Sequence, residues 1–483
     1  MKILFLNPPF KGRYSRTSRS PAVTSGGTLY YPFWLAYAAG SSEKAGHEIM
    51  LVDAPADGLT IDNVLEIVRD FKPELAVLDT STASIYSDAK SATSIKEVLQ
   101  ECFVVLVGTH PSALPDETLA ISDALDAVAI GEYDYTIRDL ANALDSGNAI
   151  SEVAGLAFRH DGVITHTVPR ERIENLDELP FVSSVYKKHL NIRNYYNSSA
   201  KFPMIMIITG RGCPNNCVFC VYPQVFHSRR YRARSAENVV AEFEYIKENL
   251  PDVKEVIIED DYFTADIDRA REICRLLIER KIKIAWYCDV RSDVDLETLK
   301  LMRKAGCRML GIGFESANQQ VLDLMHKGSN VEMYYKFAKN ARRAGLLVHG
   351  CIMCGTPGDS RAVQEENYKF ATKVNTDSMQ FYPLFVYPGT EAYQWAKEKG
   401  FLLTEDFSQW VKEDGSHNCV ISTDEMSAEE MVKLCEENML RYHLRPRYLL
   451  MKAVQAIRRP SEGLRNFKSG LNLLKKTFRK QDK

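Results

Sequence analysis

Three cysteines, Cys213, Cys217 and Cys220, share the short stretch Thr209-Gly210-Arg211-Gly212-Cys213-Pro214-Asn215-Asn216-Cys217-Val218-Phe219-Cys220. Thiolates crowded in this way suit soft metals and iron–sulfur centres. A structural zinc takes four ligands, and no second Cys-x-x-Cys or His pair follows at finger spacing. Three thiolates holding four irons would leave one iron open to bind a small chelating molecule. Three buried structural cysteines is the competing account, and the tight spacing on a Gly-bearing loop directly after a predicted strand argues against it.

That loop needs a scaffold. Strands are expected at 204–209, 255–259, 282–288, 309–314, 347–353 and 378–385, alternating with helices at 236–249, 268–280, 296–305 and 333–344. Six such repeats fit a partial or full parallel barrel, whose chemistry belongs at the C-terminal strand ends. Residues 1–150 show the same alternation, with strands at 2–6, 48–53, 75–79, 103–107 and 127–130, the pattern of a doubly wound parallel sheet whose ligands sit at the strand ends. Residues 151–200 read as a connector with a hairpin around Asp161-Gly162. The α/β chain thus divides into 1–150, 151–200, 201–400 and a helical C-terminal region, 401–483.

A chain of 483 residues, 45% hydrophobic and 26% charged, has globular composition and room for about three domains. No apolar run reaches the ~20 residues of a membrane span, and the first residues read as a buried strand, so a cytoplasmic protein is expected. The 11 cysteines point to reduced thiols. Eight of them (Cys102, Cys274, Cys288, Cys307, Cys351, Cys354, Cys419 and Cys435) sit mostly in apolar patterns and read as small core residues. Cys351 and Cys354, three apart in one strand, should face opposite ways. From Arg441 on, 13 Lys or Arg face only Glu462 and Asp482, a net +11, which leaves -14 for residues 1–440. No nucleic-acid-binding signature accompanies this basic tail.

The C-x-x-x-C-x-x-C spacing resembles the radical S-adenosylmethionine (SAM) superfamily. The resemblance implies that Cys213, Cys217 and Cys220 hold a 4Fe-4S cluster whose open iron chelates SAM, and that other strand ends contact SAM. Those are Glu259, Asp260 and Asp261, which replace the Gly-Gly-Glu of many members; Arg291; Glu315-Ser316, similar to the family's Gly-x-Glu-Ser; Gly355; and Phe219, between two cluster cysteines. For any single acid, capping the next helix is the alternative.

Preceding such a barrel, the first domain resembles the cobalamin-binding domain of the superfamily's cobalamin-dependent branch. Gly108-Thr109-His110-Pro111-Ser112 and Gly131-Glu132-Tyr133-Asp134 are similar to the paired motifs of the branch that contains the anaerobic magnesium-protoporphyrin ester cyclase and many methylases. The implied cobalamin contacts are Thr80, Ser81, Thr82, Ala83, Ser84, Gly108, Thr109, His110, Gly131, Glu132 and Tyr133. The Asp-x-His-x-x-Gly motif of classical cobalamin domains is replaced by Asn7-Pro8-Pro9-Phe10-Lys11-Gly12, which leaves the lower face of cobalt to water or to another loop. His110 reads as a loop anchor rather than a cobalt ligand.

The resemblance implies a radical SAM enzyme, with a methyltransferase acting on an unactivated carbon of a lipid or natural-product-like substrate as the leading reading. An oxidative cyclase or other non-methylating C–H chemistry is one alternative, and a cobalamin sensor on a degenerate barrel another. An external electron donor such as flavodoxin or ferredoxin is expected. In the tail, 448–459 and 464–478 read as basic amphipathic helices broken at Pro460, suited either to the inner face of a membrane or to capping the acidic body.

Overall fold

The computed structural model describes residues 1–24, 26–458 and Glu462. Five parallel strands, β1 (Lys2–Asn7), β2 (Glu48–Asp53), β3 (Leu75–Thr80), β4 (Phe103–Gly108) and β5 (Ala127–Ala129), are followed by an antiparallel hairpin, β6 (Leu156–His160) and β7 (Val163–His166). They form one sheet in the order β2-β1-β3-β4-β5-β6-β7. Every residue of β3 is buried, as expected of a parallel strand covered on both faces. Helices Phe33–Lys44 and Asp134–Ser146 cover one face; Ile61–Phe71 and Ile85–Val98 cover the other. The expected hairpin at Asp161-Gly162 is present and extends the first sheet beyond β5. The helix Val182–His189 packs on Phe33–Lys44.

The order reverses between β1 and β3, so the loops at their carboxyl ends diverge and leave a crevice. The long loop 8–32 after β1 is pinned there by buried polar contacts. Arg16 pairs with Asp88 (2.6 Å) and donates to Asn7 Oδ1 and the Pro8 carbonyl, while the Tyr14 hydroxyl bonds Ser81.

In the second sheet, β8 (Met204–Ile207) is followed by a short antiparallel pair, β9 (Gly210–Arg211) and β10 (Arg232–Ala233). Then come β11 (Glu255–Ile258), β12 (Ala285–Asp289), β13 (Cys307–Glu315), β14 (Leu347–Cys354) and β15 (Ser378–Pro383). The six main strands are parallel, in the order β15-β14-β13-β12-β11-β8, an open barrel of the expected six repeats. Side-chain oxygens of Ser235, Asp266, Asp295, Asn330 and Ser360 cap the helices that follow successive strands, which fixes where each strand-end loop stops.

The C-terminal region closes over both sheets. The short turn Phe407–Trp410 sits on Thr82–Ser84, and helix Ala428–His443 packs on β15. Helix Pro446–Arg458 lies against the start of β15: the Tyr448 hydroxyl donates to the Asp377 carbonyl, and Gln455 bonds the Asp377 carboxylate. Pro460 and the second expected tail helix, 464–478, lie outside the described residues.

Gly108 ends β4 with φ +122°, and a Cβ there would stand 2.3 Å from the Thr80 carbonyl oxygen, a backbone atom. Gly108→Ala should lower the unfolding free energy by about 2–4 kcal/mol. The effect would be read as a lower urea midpoint at unchanged slope; a variant as stable as the parent would show that β3 and β4 part freely at their ends.

Candidate active site

The cysteine loop leaves β9 at the mouth of the barrel. Gly212 turns with φ +84°, its missing Cβ leaving room for the Arg230 carbonyl, and its N–H donates to Asp261 Oδ2 at 3.0 Å. Gln224 then clamps the loop from inside, its Nε2 donating to the carbonyls of Cys217, Val218 and Cys220 at 3.3, 3.1 and 2.9 Å. Asn215 Nδ2 donates to Cys213 Sγ at 3.2 Å. Burial pushes the Cys213 and Cys220 thiols up, with the Asp261 charge adding to it, so iron must displace their protons. Among the described residues no three Cys, His, Asp or Glu converge closely enough for a single ion. Three thiols spread round one clamped loop fit a polynuclear cluster that takes one iron per sulfur.

Alternation along the strands decides which side chains reach the lumen. On β12, Trp286 and Cys288 are fully buried, whereas Tyr287 and Asp289 face inward across Gly311 of β13, where a Cβ would come within 2.0 Å of Asp289 Oδ1. Asp289 accepts from the Tyr287 hydroxyl (3.0 Å). Arg19, carried by loop 8–32 of the first domain, enters this lumen. It pairs with Asp289, Glu259 and Asp261 at 3.3, 3.5 and 3.7 Å and donates to the Asp260 carbonyl at 2.6 Å. Burial, and then the neighbouring Asp289 charge, push the Glu259 carboxyl up to about 8 against the pull of Arg19. Three acids around one guanidinium make an acidic nest beside the cysteine loop, suited to an ammonium group.

Glu315 stands at the end of β13 with φ +61°, a strained conformation for a non-glycine residue. Its carboxylate is held by Lys327 Nζ (2.9 Å) and the Tyr382 hydroxyl (3.2 Å), and Lys327 also lies 5.8 Å from the ring of Phe219. Phe219, Glu259, Asp261 and Glu315 are therefore gathered round the cysteine loop.

Four other residues expected at the SAM site make protein contacts of their own. Asp260 accepts from the N–H and hydroxyl of Thr209, both at 2.5 Å, tying β8 to β11. Ser316 bonds Asn367 on the outer helix Arg361–Val374. Gly355 lies against Met431, and its N–H donates to Asp359. Arg291 donates to the Lys327 carbonyl and to Ser329 Oγ, bracing the loop that carries Lys327. Cys354 turns out against Cys435, as expected from its spacing. Cys351 departs from the expected core packing: it is only half-buried and faces the lumen, 3.6 Å from His349 Nε2.

At the first domain's strand ends, Thr80 and Ser84 both donate to Asp88 (2.6 Å), and Ser81 bonds Ser84. These hydroxyls are engaged by protein. Ala83 is half-buried beside Tyr14 and Trp410. Ser112 joins the paired motifs, donating to the Gly108 carbonyl (2.6 Å) and accepting from the Gly131 N–H (2.9 Å), with Thr109 half-buried between. His110 is buried against Thr82 and edge-on to Phe407, and burial pushes its imidazole down to about 3, so it is a neutral anchor. Among the buried polar atoms without a hydrogen-bond partner, two lie at these strand ends: Asp79 Oδ2 at the end of β3 and the Tyr133 hydroxyl after β5. Burial pushes Asp79 up to about 7, so it can donate as well as accept. A protonated carboxyl and a phenol without partners suit the amides that rim a corrin ring.

Glu132 does not face this crevice. Its two oxygens take Arg232 (Nη1 3.0 Å), His227 Nδ1 (2.9 Å) and Arg211 Nη1 (3.4 Å), while Asp134 holds Arg211 in a fork at 2.7 and 3.0 Å. Arg211 lies two residues before Cys213, and His227 and Arg232 follow Cys220, so the first domain grips the cysteine loop at both ends.

A cofactor-type α/β domain set strand-end to strand-end against an open barrel with a three-thiol loop defines an enzyme with two cofactor-binding regions. Family models for the Radical SAM superfamily and the B12 binding domain match residues 207–371 and 19–141. An uncharacterised methyltransferase from Pyrococcus horikoshii is 30% identical over 451 residues, 93% of this chain and 94% of that one. The anaerobic magnesium-protoporphyrin IX monomethyl ester cyclase of Rubrivivax gelatinosus is 25% identical, with 93% and 78% covered. The hopanoid C-3 methylase of Methylococcus capsulatus is 26% identical, with 78% and 70% covered. The structure of the radical SAM methyltransferase TsrM from Kitasatospora setae, with cobalamin and a 4Fe-4S cluster bound, shares the fold at TM-score 0.70 and 15% identity, covering 92% of this chain and 89% of that one. The chain belongs to the cobalamin-dependent radical SAM enzymes, and its cofactors are a 4Fe-4S cluster, SAM and cobalamin.

Arg19, Asp289, Lys327 and Asp79 were not among the expected site residues. Asp289 was findable from strand alternation once Cys288 is taken as outward. Arg19 and Lys327 lie in irregular loops with no pattern to mark them.

Replacing Cys213, Cys217 or Cys220 by Ala should abolish the visible absorbance of the reconstituted cluster; retention of a full cluster after any one change would refute the ligand set. A second expectation concerns pH. The raised Asp79 carboxyl favours the native state while protonated, so its contribution is full below about pH 4 and fades as pH rises through about 7. Asp79→Asn should flatten the fall in unfolding free energy between pH 5 and 8 by up to about 3 kcal/mol, measured by urea titration; parallel curves for variant and parent would refute it.

Proposed function

We propose that this enzyme is a C-methyltransferase that places a methyl group on an unactivated carbon of a lipid or natural-product-like substrate. The observation that carries this reading is the shared interface between the cysteine loop and the first domain's strand ends. Residues Tyr222–Phe226, just after Cys220, pack on Thr109–Ala113, and Gly389 fits against Ala113 and Val225. When bound, the cluster and SAM supply hydrogen-abstracting chemistry and cobalamin a transferable methyl group.

The chain's own residues bind, orient and keep water out. Glu259, Asp261 and Asp289 offer an ammonium site, Glu315 and Lys327 fix the neighbouring wall, and Tyr30, Tyr287 and Tyr382 line the lumen with phenols that burial keeps protonated. Several relatives are named as methyltransferases or methylases, one of them of hopanoids, which supports methylation and a lipid substrate. The cyclase relative supports a second reading, C–H oxidation or ring closure. Mass analysis of the product separates the two, as a gain of one CH2 against a loss of hydrogen. A flavodoxin- or ferredoxin-type donor is proposed as the source of the electron.

Peripheral membrane docking is part of the proposal. No helix among the described residues is long and apolar enough to cross a membrane. On Pro446–Arg458, however, the face opposite Tyr448 leaves Leu449, Leu450, Val454 and Ile457 exposed, Ile457 by 82%, with Arg447 and Arg458 exposed on the same helix. Such a face can enter the headgroup region while its cations meet anionic lipid, each worth about 1 kcal/mol. The full-length protein should sediment with phosphatidylglycerol-containing vesicles at low salt, and a Leu450→Glu/Ile457→Glu variant should bind at least about tenfold less. Equal binding by both, or by neither, would remove the membrane reading and leave a helical cap.

A further inference from the structure

The geometry points to Glu132 and Asp134 as positioning residues for the iron–sulfur loop, through which cobalamin binding and cluster binding assist each other. The inference rests on the cofactor set and is independent of methylation.

Five charged or ionisable side chains meet at this junction, and all are nearly inaccessible: Glu132 and Asp134 from the first domain, and Arg211, His227 and Arg232 from the barrel. Buried ion pairs of this kind have one good geometry, because a displaced partner leaves a bare charge in a dry site. The hydrogen bonds and Arg232 hold Glu132 well below the usual carboxylate range, so it stays ionised. Arg211 is stacked against Trp34 and Tyr37, with its guanidinium carbon 5.0 and 5.2 Å from their rings, and cannot follow a shifted carboxylate by swinging to solvent.

The junction is wired to both cofactor sites through short covalent and hydrogen-bonded links. Toward the cobalt side, Glu132 follows Gly131, whose N–H is held by Ser112 and through it by the Gly108 carbonyl, and it precedes Tyr133, whose hydroxyl lacks a partner. Toward the iron side, Arg211 is two residues from Cys213, and the β9–β10 pairing of Arg211 with Arg232 closes the loop that carries all three cysteines. A ligand that fixes peptide 131–134 therefore narrows the positions open to the cysteine loop, and iron on the loop narrows those open to 131–134. Linkage then requires equal help in both directions. A clamp with only a structural role would weaken each site without making either depend on the other.

The test titrates hydroxocobalamin anaerobically into the full-length protein with and without a reconstituted 4Fe-4S cluster, and separately measures iron loss to a chelator with and without hydroxocobalamin. The parent should bind hydroxocobalamin at least about fivefold more tightly with the cluster in place, and should lose iron more slowly with hydroxocobalamin bound. In Glu132→Gln and in Asp134→Asn both cofactors should still bind, with the ratio falling to within about twofold. A parent ratio within twofold, no cobalamin binding in either form, or variants that keep the parent ratio would overturn the inference. If neither variant folds, Glu132→Asp and Asp134→Glu, which keep the charge but move each carboxylate by one methylene, take their place, and a ratio unchanged from the parent in both would overturn the inference.

Discussion

The molecule depends on a buried knot of charge between its two sheets. Glu132 and Asp134 at the end of β5, set against Arg211, His227 and Arg232 around the cysteine loop, fix two carboxyl-terminal strand edges face to face. Apolar packing alone is tolerant of sliding, whereas forked carboxylate–guanidinium pairs in a dry interface are not. The strand ends that carry cofactor chemistry in each fold are thereby turned toward the same space.

The second constraint is electrostatic. The lumen gathers Glu259, Asp261 and Asp289, and the cation that pairs with all three is Arg19, lent by the long loop of the other domain. That loop is itself moored by Arg16 on Asp88 at the crevice between β1 and β3. One stretch of chain thus has a foot in each site. Arg19 supplies the positive charge that such a nest of acids would otherwise lack. Glu315 and Lys327 form a self-neutralised pair on the neighbouring wall, and strain at Glu315 shows that its placement is fixed by the surrounding structure.

The hydroxyl-rich run after β3 illustrates how a loop of one composition can serve two ends. Thr80 and Ser84 satisfy Asp88, and Ser81 satisfies Tyr14, so their groups build the crevice wall rather than project into it. The partnerless atoms are deeper, on Asp79 and Tyr133. The C-terminal segment completes the enclosure, with Phe407 against His110 and Tyr86.

The order of elements and the cysteine loop were legible from sequence, because both are local. Strand and helix periodicity repeats every few residues, caps mark helix starts, and three thiols in one loop need no tertiary partner to be recognised. All five parallel strands of the first sheet and all six of the barrel fall where periodicity puts them, to within a few residues at their ends. The fate of individual strand-end side chains was not legible. Glu259, Asp260 and Asp261 are neighbours of one charge type, yet backbone alternation and the cation within reach send two to Arg19 and one to Thr209. Glu132 lies in a cofactor-like motif and is drawn instead to three donors contributed by another domain. What the sequence by itself determined was therefore the local architecture and the metal-binding chemistry; which carboxylates face a ligand and which face a buried arginine was decided only by tertiary structure, because the energy of a buried charge depends on partners distant in the chain.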